Sequence, residues 1–87
     1  MYSVEYSKPA IRELEKMDSA AAGMIVAWIE RNLVGCDNPR VFGIALTGNW
    51  AGHWRYRVGS YRLIAKISDT TITINIINIG HRREVYK

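Results

Sequence analysis

The tract from His53 to Ile67 leaves this chain little choice of fold. It alternates as His53-Trp54-Arg55-Tyr56-Arg57-Val58, breaks at Gly59-Ser60, and resumes as Tyr61-Arg62-Leu63-Ile64-Ala65-Lys66-Ile67. Period-two alternation around a two-residue loop led by glycine is the pattern of a β-hairpin closed by a type I′ or II′ turn. With that loop, Val58 pairs with Tyr61, Arg57 with Arg62, Tyr56 with Leu63, Arg55 with Ile64 and Trp54 with Ala65. One face then carries Trp54, Tyr56, Val58, Tyr61, Leu63, Ala65 and Ile67, an apolar surface that has to be covered. The other carries Arg55, Arg57, Arg62 and Lys66, with His53 at its end if the strand reaches that far, and no acidic residue.

The N-terminal half supplies the cover. Tyr2, Val4 and Tyr6 alternate with Ser3 and Glu5 as in a short half-buried strand. Ser7 or Lys8 sits at an N-cap position, Pro9 suits a first helical turn, and Ile11, Leu14 and Met17 recur at helical spacing. Asp18-Ser19 turns the chain into a second helix whose stripe is Ala21, Met24, Ile25, Trp28, Ile29 and Leu33, with Gly35 as its stop. Residues 8–34 therefore read as a helical hairpin. Asp37-Asn38-Pro39, Gly43, Thr47-Gly48-Asn49 and Gly52 concentrate turn residues and predict a long surface loop over 36–52. After the β-hairpin, Ser68-Asp69-Thr70 turns again, and the β-branched run Thr71 to Ile79 makes a last strand that Gly80 releases into a polar tail. The order is β-α-α-β-β-β: an α+β fold with a small, mostly antiparallel sheet and the helical hairpin on one face. No repeat or linker divides it, so residues 1–87 read as one domain.

A chain of 87 residues buries only about 60–65% of its unfolded surface, enough for one modest core. Its hydrophobic fraction of 48% suits a globular protein and excludes a disordered one. No apolar run reaches membrane-span length, and Met1 to Tyr6 lacks the basic and apolar regions of a signal peptide, so a cytoplasmic protein is expected. The single Cys36, with only His53 and His81 beside it, offers neither a disulfide nor zinc-ligand spacing, so no metal or other cofactor is expected. The net charge of +4 is unevenly spread: residues 1–39 carry −2 and residues 40–87 carry +6. Arginine dominates the basic half, and its planar fork suits phosphate.

Two arginines directly opposite on a sheet repel by about 3 kcal/mol before screening, taking roughly 5 Å and an effective dielectric of about 20. Such a face either is simply solvated or binds phosphates, and Arg82, Arg83 and His81 of the tail would extend it. Cleavage of an RNA phosphodiester needs the 2′-OH activated, charge on the phosphorane oxygens stabilised and the 5′-oxygen protonated. Fixed arginines serve the second need, and His81 or Tyr86 the proton transfers. Tyr86 has the further option of stacking on a base. Trp28 and Trp54 share core parity, and core packing is the better reading of Trp50 too.

Trp54-Arg55-Tyr56-Arg57-Val58-Gly59-Ser60-Tyr61-Arg62-Leu63-Ile64, with Gly80-His81-Arg82-Arg83-Glu84-Val85-Tyr86, resembles the RelE toxin family of bacterial type II toxin–antitoxin systems. Asn38-Pro39-Arg40, Gly43 and Leu46-Thr47-Gly48 look like the family's loop. The resemblance implies a metal-independent, ribosome-dependent endoribonuclease that cuts mRNA in the A site of the 70S ribosome by 2′-OH attack. It leaves a 2′,3′-cyclic phosphate and a 5′-OH and is neutralised by a cognate RelB-like antitoxin. Carried over by position, Arg55 and Arg57 would hold the mRNA backbone and Arg62 would stabilise the scissile phosphate. Arg82 would stabilise or protonate the leaving group, and Tyr86 would stack on a base and help activate the 2′-OH. His81 completes the catalytic candidates, and Lys66, Arg83 and Arg40 would add RNA contacts. Arginine where relatives often have lysine at 55 and 57 removes a proton acceptor, because guanidinium stays protonated. Ile44 stands where a basic residue is expected, and the chain stops one residue after Tyr86. ParE-like relatives on the same scaffold poison DNA gyrase without cutting RNA, and a non-catalytic RNA-binding protein is the third possibility.

Overall fold

The computed structural model describes residues 1–81. Its elements follow the predicted order with one short strand, β2, added before the hairpin: β1 (Ser3–Tyr6), α1 (Lys8–Lys16), α2 (Ser19–Asn32), β2 (Ile44–Ala45), β3 (Trp54–Val58), β4 (Tyr61–Ser68) and β5 (Thr73–His81). They form a five-stranded sheet in the order β1-β5-β4-β3-β2, antiparallel except where β1 runs parallel to β5.

Both helices start where side-chain oxygens satisfy free N–H groups. The Ser7 hydroxyl accepts from Ala10 N–H at 3.1 Å and the Asp18 carboxylate from Ala21 N–H at 2.8 Å, as N-cap chemistry requires. Ser7 also donates to the Ile77 carbonyl at 2.8 Å, tying the start of α1 to β5. From α2, Ile25, Ile29 and Leu33 are fully buried against Tyr56, Val58, Leu63, Ala65, Ile74, Ile76 and Ile79. The apolar stripes run slightly differently from the expectation. Ala10 is the buried residue of α1 while Ile11 is 45% exposed, and Met24 is 44% exposed. Met24 lies at the rim, its methyl group close beside Gly59 at the hairpin turn.

The β3–β4 hairpin has the anticipated register at all five pairs, from Val58 with Tyr61 to Trp54 with Ala65. Gly59 has φ +58° and Ser60 does not lie at positive φ, which makes the turn type II′ and matches the twist of the strands.

Two features depart from the expectation. The segment 36–52 is not all loop: Pro39–Phe42 and Gly48–Trp50 form 3₁₀ turns, and Ile44 and Ala45 pair with Arg55 and Trp54 as the edge strand β2. The fully buried Tyr56 secures this segment by donating to the Pro39 carbonyl at 2.8 Å, and burial pushes its phenol pKa well above the ordinary value. Gly43 passes so close that a Cβ there would sit 2.8 Å from the Arg55 carbonyl oxygen and 2.9 Å from the Tyr56 ring. Secondly, β5 is not a uniform strand. Its register with β4 shifts at Ile64/Ala65, so that Ile64 faces Asn78 while Ala65 faces Ile76, leaving Ile77 as an extra residue. Such a bulge reverses the inward parity along the strand: Ile74 and Ile76 point into the core before it, and Ile79 after it.

Two substitutions test this core. Leu63→Ala should cost about 2–5 kcal/mol in denaturant unfolding through transfer and cavity terms. Gly43→Ala should lower the unfolding midpoint comparably to a core truncation despite adding only a methyl group, because the atoms it meets are backbone and a fully buried ring.

Candidate functional site

The sheet face turned away from the helices can be laid out row by row from the pairings. In the first row, Gly80 of β5, Arg62 of β4 and Arg57 of β3 are neighbours. In the second, Asn78, Ile64, Arg55 and Ile44 span four strands. In the third, Glu5 of β1, Asn75 and Lys66 stand side by side, and beyond them Ser3, Thr73 and Ser68. The structure thus brings Arg55, Arg57, Arg62 and Lys66 onto one surface, as the alternation of β3 and β4 implies. Neither strand contains an acidic residue.

Arg57 and Lys66 are exposed, and Arg55 and Arg62 are half-buried. The Arg55 Nε is itself buried and meets no hydrogen-bond acceptor among the described residues. A buried donor left without a partner is costly, and an incoming anionic oxygen would relieve it. Directly across from Arg62, Gly80 puts no side chain on this face. Ile44, across from Arg55, is 55% exposed and adds an apolar spot beside the guanidinium.

Three groups of candidates fall elsewhere. His81 does not join the arginines. It is the last residue of β5, pairs with Tyr61, and its ring meets the Tyr61 ring edge to face at 5.9 Å on the helix side of the sheet. The cause is the bulge, after which odd-numbered residues of β5 face the helices. His53 precedes β3 and turns back, its Nδ1 lying 3.2 Å from the Trp50 carbonyl oxygen and its ring against Trp50. Arg40 is committed to a structural clamp. Its guanidinium forms a two-pronged pair with the Asp69 carboxylate at 2.9 and 3.1 Å and lies over the Trp54 ring at 5.8 Å, while the Tyr2 hydroxyl donates to Asp69 at 2.6 Å. Arg82, Arg83 and Tyr86 lie outside the described residues.

Sequence reading missed the two asparagines. Asn75 and Asn78 have opposite parity, and a uniform strand would put them on opposite faces. The bulge at Ile77 places both on the arginine face. Among the described residues no three His, Cys, Asp or Glu side chains lie close enough to share a metal ion, and no helix is long and apolar enough to cross a membrane.

The comparisons with known proteins agree with this architecture. A chain of the RelBE2 toxin–antitoxin complex from Mycobacterium tuberculosis superposes with a TM-score of 0.85 at 29% identity, covering 95% of this chain and 93% of that one. A chain of the archaeal RelE–RelB complex from Pyrococcus horikoshii shares the fold, with a TM-score of 0.72 at 22% identity over 97% and 98% of the two chains. Toxin RelG of Mycobacterium tuberculosis is 29% identical over 86 residues, 99% of this chain and 97% of its own length. The architecture is therefore that of the RelE-type toxins. The family model for the ParE toxin of the type II toxin–antitoxin system parDE matches residues 4–86, and the chain belongs to that family, within the RelE/ParE superfamily.

The clamp carries a pH dependence. Hydrogen bonds from Arg40 first, then from Tyr2, hold the Asp69 carboxyl below its ordinary value. A carboxyl whose folded pKa is depressed adds stability above its unfolded pKa, about 3.9, and loses it as pH falls through the folded value. Asp69→Asn should therefore flatten the fall in denaturant midpoint below about pH 4 relative to the parent protein. The effect should be small, because the pair is exposed and screened by solvent.

Proposed function

We propose that this toxin is a ribosome-dependent mRNA endoribonuclease acting at the arginine face. The observation that carries the reading is the register of Arg55, Arg57 and Arg62 on one face of two strands that hold no acidic residue, with Arg57 and Arg62 directly opposite. Two guanidinium groups facing each other across a strand pair concentrate positive potential there, which favours a phosphate over a neutral ligand. A phosphodiester in that position takes its non-bridging oxygens into a fixed array of donors, and the extra negative charge of a phosphorane is stabilised more than the ground state. In the reaction the 2′-oxygen forms a bond to phosphorus, losing its proton to a base. The bond from phosphorus to the 5′-oxygen breaks, and that oxygen takes up a proton. The products are a 2′,3′-cyclic phosphate and a 5′-OH.

The arginines stay charged throughout and supply electrostatic stabilisation alone. Proton transfer belongs in this reading to Tyr86 and stabilisation of the leaving group to Arg82, both of which follow β5 in sequence. His81 is not part of it, since it faces the helices. The natural inhibitor is a cognate antitoxin, as in the RelBE and RelE–RelB complexes of the relatives, and a protein with an acidic segment would complement the basic face. The match to a ParE family model favours a second reading, a gyrase poison on the same scaffold.

Primer extension on mRNA with purified protein, with and without programmed ribosomes holding an empty A site, separates the two. Cuts should appear only with ribosomes. Arg62→Ala should reduce them roughly a hundredfold or more, as the loss of a transition-state donor does, with little loss of stability because the residue faces away from the core. A folded Arg62→Ala variant that still cuts would remove Arg62 from the reaction. Intact mRNA together with failed gyrase supercoiling would establish the poison.

A further inference from the structure

The face that carries the arginines is graded across the sheet. Cations occupy β3 and β4, the amides Asn75 and Asn78 occupy β5, and the carboxylate Glu5 lies on the β1 edge. Asn75 lines a groove with Glu5, Lys66, Ser68, Thr73 and the Asp69–Thr71 turn. Both asparagines are half-buried in the middle of a strand, where asparagine is disfavoured. Neither side chain makes a hydrogen bond with any of the described residues. The pleat alone would not put them together; the extra residue Ile77 does.

A single strand of RNA has the complementary grading: an anionic backbone on one edge and hydrogen-bonding bases on the other. We propose that Asn78, and Asn75 in the groove beyond it, form a base-reading subsite for the RNA strand whose backbone lies along Arg57, Arg62 and Lys66. This rests on the nuclease reading above and adds to it the residues that choose where the strand is cut. Arg62 and Lys66 are four residues apart on β4, about 13 Å, so the face spans a few nucleotides and the two amides meet different bases. An amide both donates and accepts, and pairs in two-pronged fashion with an adenine edge. Glu5 repels phosphate from the far end and accepts from an exocyclic amine, which keeps the backbone on the β4 side.

The test is cleavage mapped over a transcript pool rich in different sequences, with programmed ribosomes, for the parent protein, Asn78→Ala, Asn78→Thr and Asn75→Ala. Threonine suits a strand and lacks the amide, so Asn78→Thr separates lost recognition from lost folding. Circular dichroism confirms that each variant is folded. The parent should show a base preference near the cut. Asn78→Ala and Asn78→Thr should both weaken it by tenfold or more at one position, and Asn75→Ala at another. Cleavage by folded variants with the parent's preference unchanged would overturn the subsite while leaving the nuclease standing. A parent protein that cuts no RNA would overturn both, and that failure shows before any substitution is made.

Discussion

The pairing of β3 with β4 is the constraint on which the rest of the molecule depends. A sheet with one buried face tolerates no slip in register, because moving one strand by a single residue sends its whole inward set outward. Here a slip would bring Arg55 and Arg57 under the helices and expose Tyr56 and Val58, burying charge with no counter-ion on either strand. The cost of that alternative far exceeds the repulsion between Arg57 and Arg62. The type II′ turn at Gly59-Ser60 acts in the same direction, since its backbone twist admits only the observed pairing of Val58 with Tyr61. The packing of the core and the clustering of cations outside it are thus two consequences of one register.

The opposite ends of the sheet are held by different chemistry. At the β2 edge, the hydroxyl of buried Tyr56 holds the Pro39 carbonyl and the absent Cβ of Gly43 lets the segment pass over the ring. Around the β4–β5 turn, the Tyr2, Asp69, Arg40 and Trp54 clamp joins four positions far apart in sequence. These contacts do not involve Arg55, Arg57 or Lys66. Arg40, which composition alone would add to the basic surface, is consumed as a structural ion pair, and the charge relevant to a phosphate ligand is smaller and more localised than the total of the C-terminal half.

Most of the fold was legible in the sequence because its signals are local. Caps at Ser7 and Asp18, the stripe Ile25, Ile29 and Leu33, and the alternation about Gly59-Ser60 each act within a few residues, and each has its expected outcome. The segment 36–52 was less legible. A two-residue edge strand has no periodicity to detect, and Ile44 and Ala45 are strand only because Arg55 and Trp54 offer an edge. Trp54 and Ile67, counted with the core face, are only half-buried, since they lie towards the end of the hairpin where the cover of the helices thins.

The amino-acid sequence by itself determined the α+β class, the helical hairpin, the hairpin register and the separation of three arginines from the core. Each follows from side-chain periodicity and turn chemistry within one stretch of chain. Tertiary structure alone decided which other polar residues share that face. The bulge falls at Ile77, just past the last β1–β5 pair, Tyr6 with Ile76, and no residue in the run announces where the extra one falls. By reversing parity it moved His81 to the helices and gathered Asn75 and Asn78 beside the cations. Likewise, whether Arg40 is a free charge or half of a clamp depends on Asp69 arriving from 29 residues away, a distance over which sequence pattern carries no geometric information.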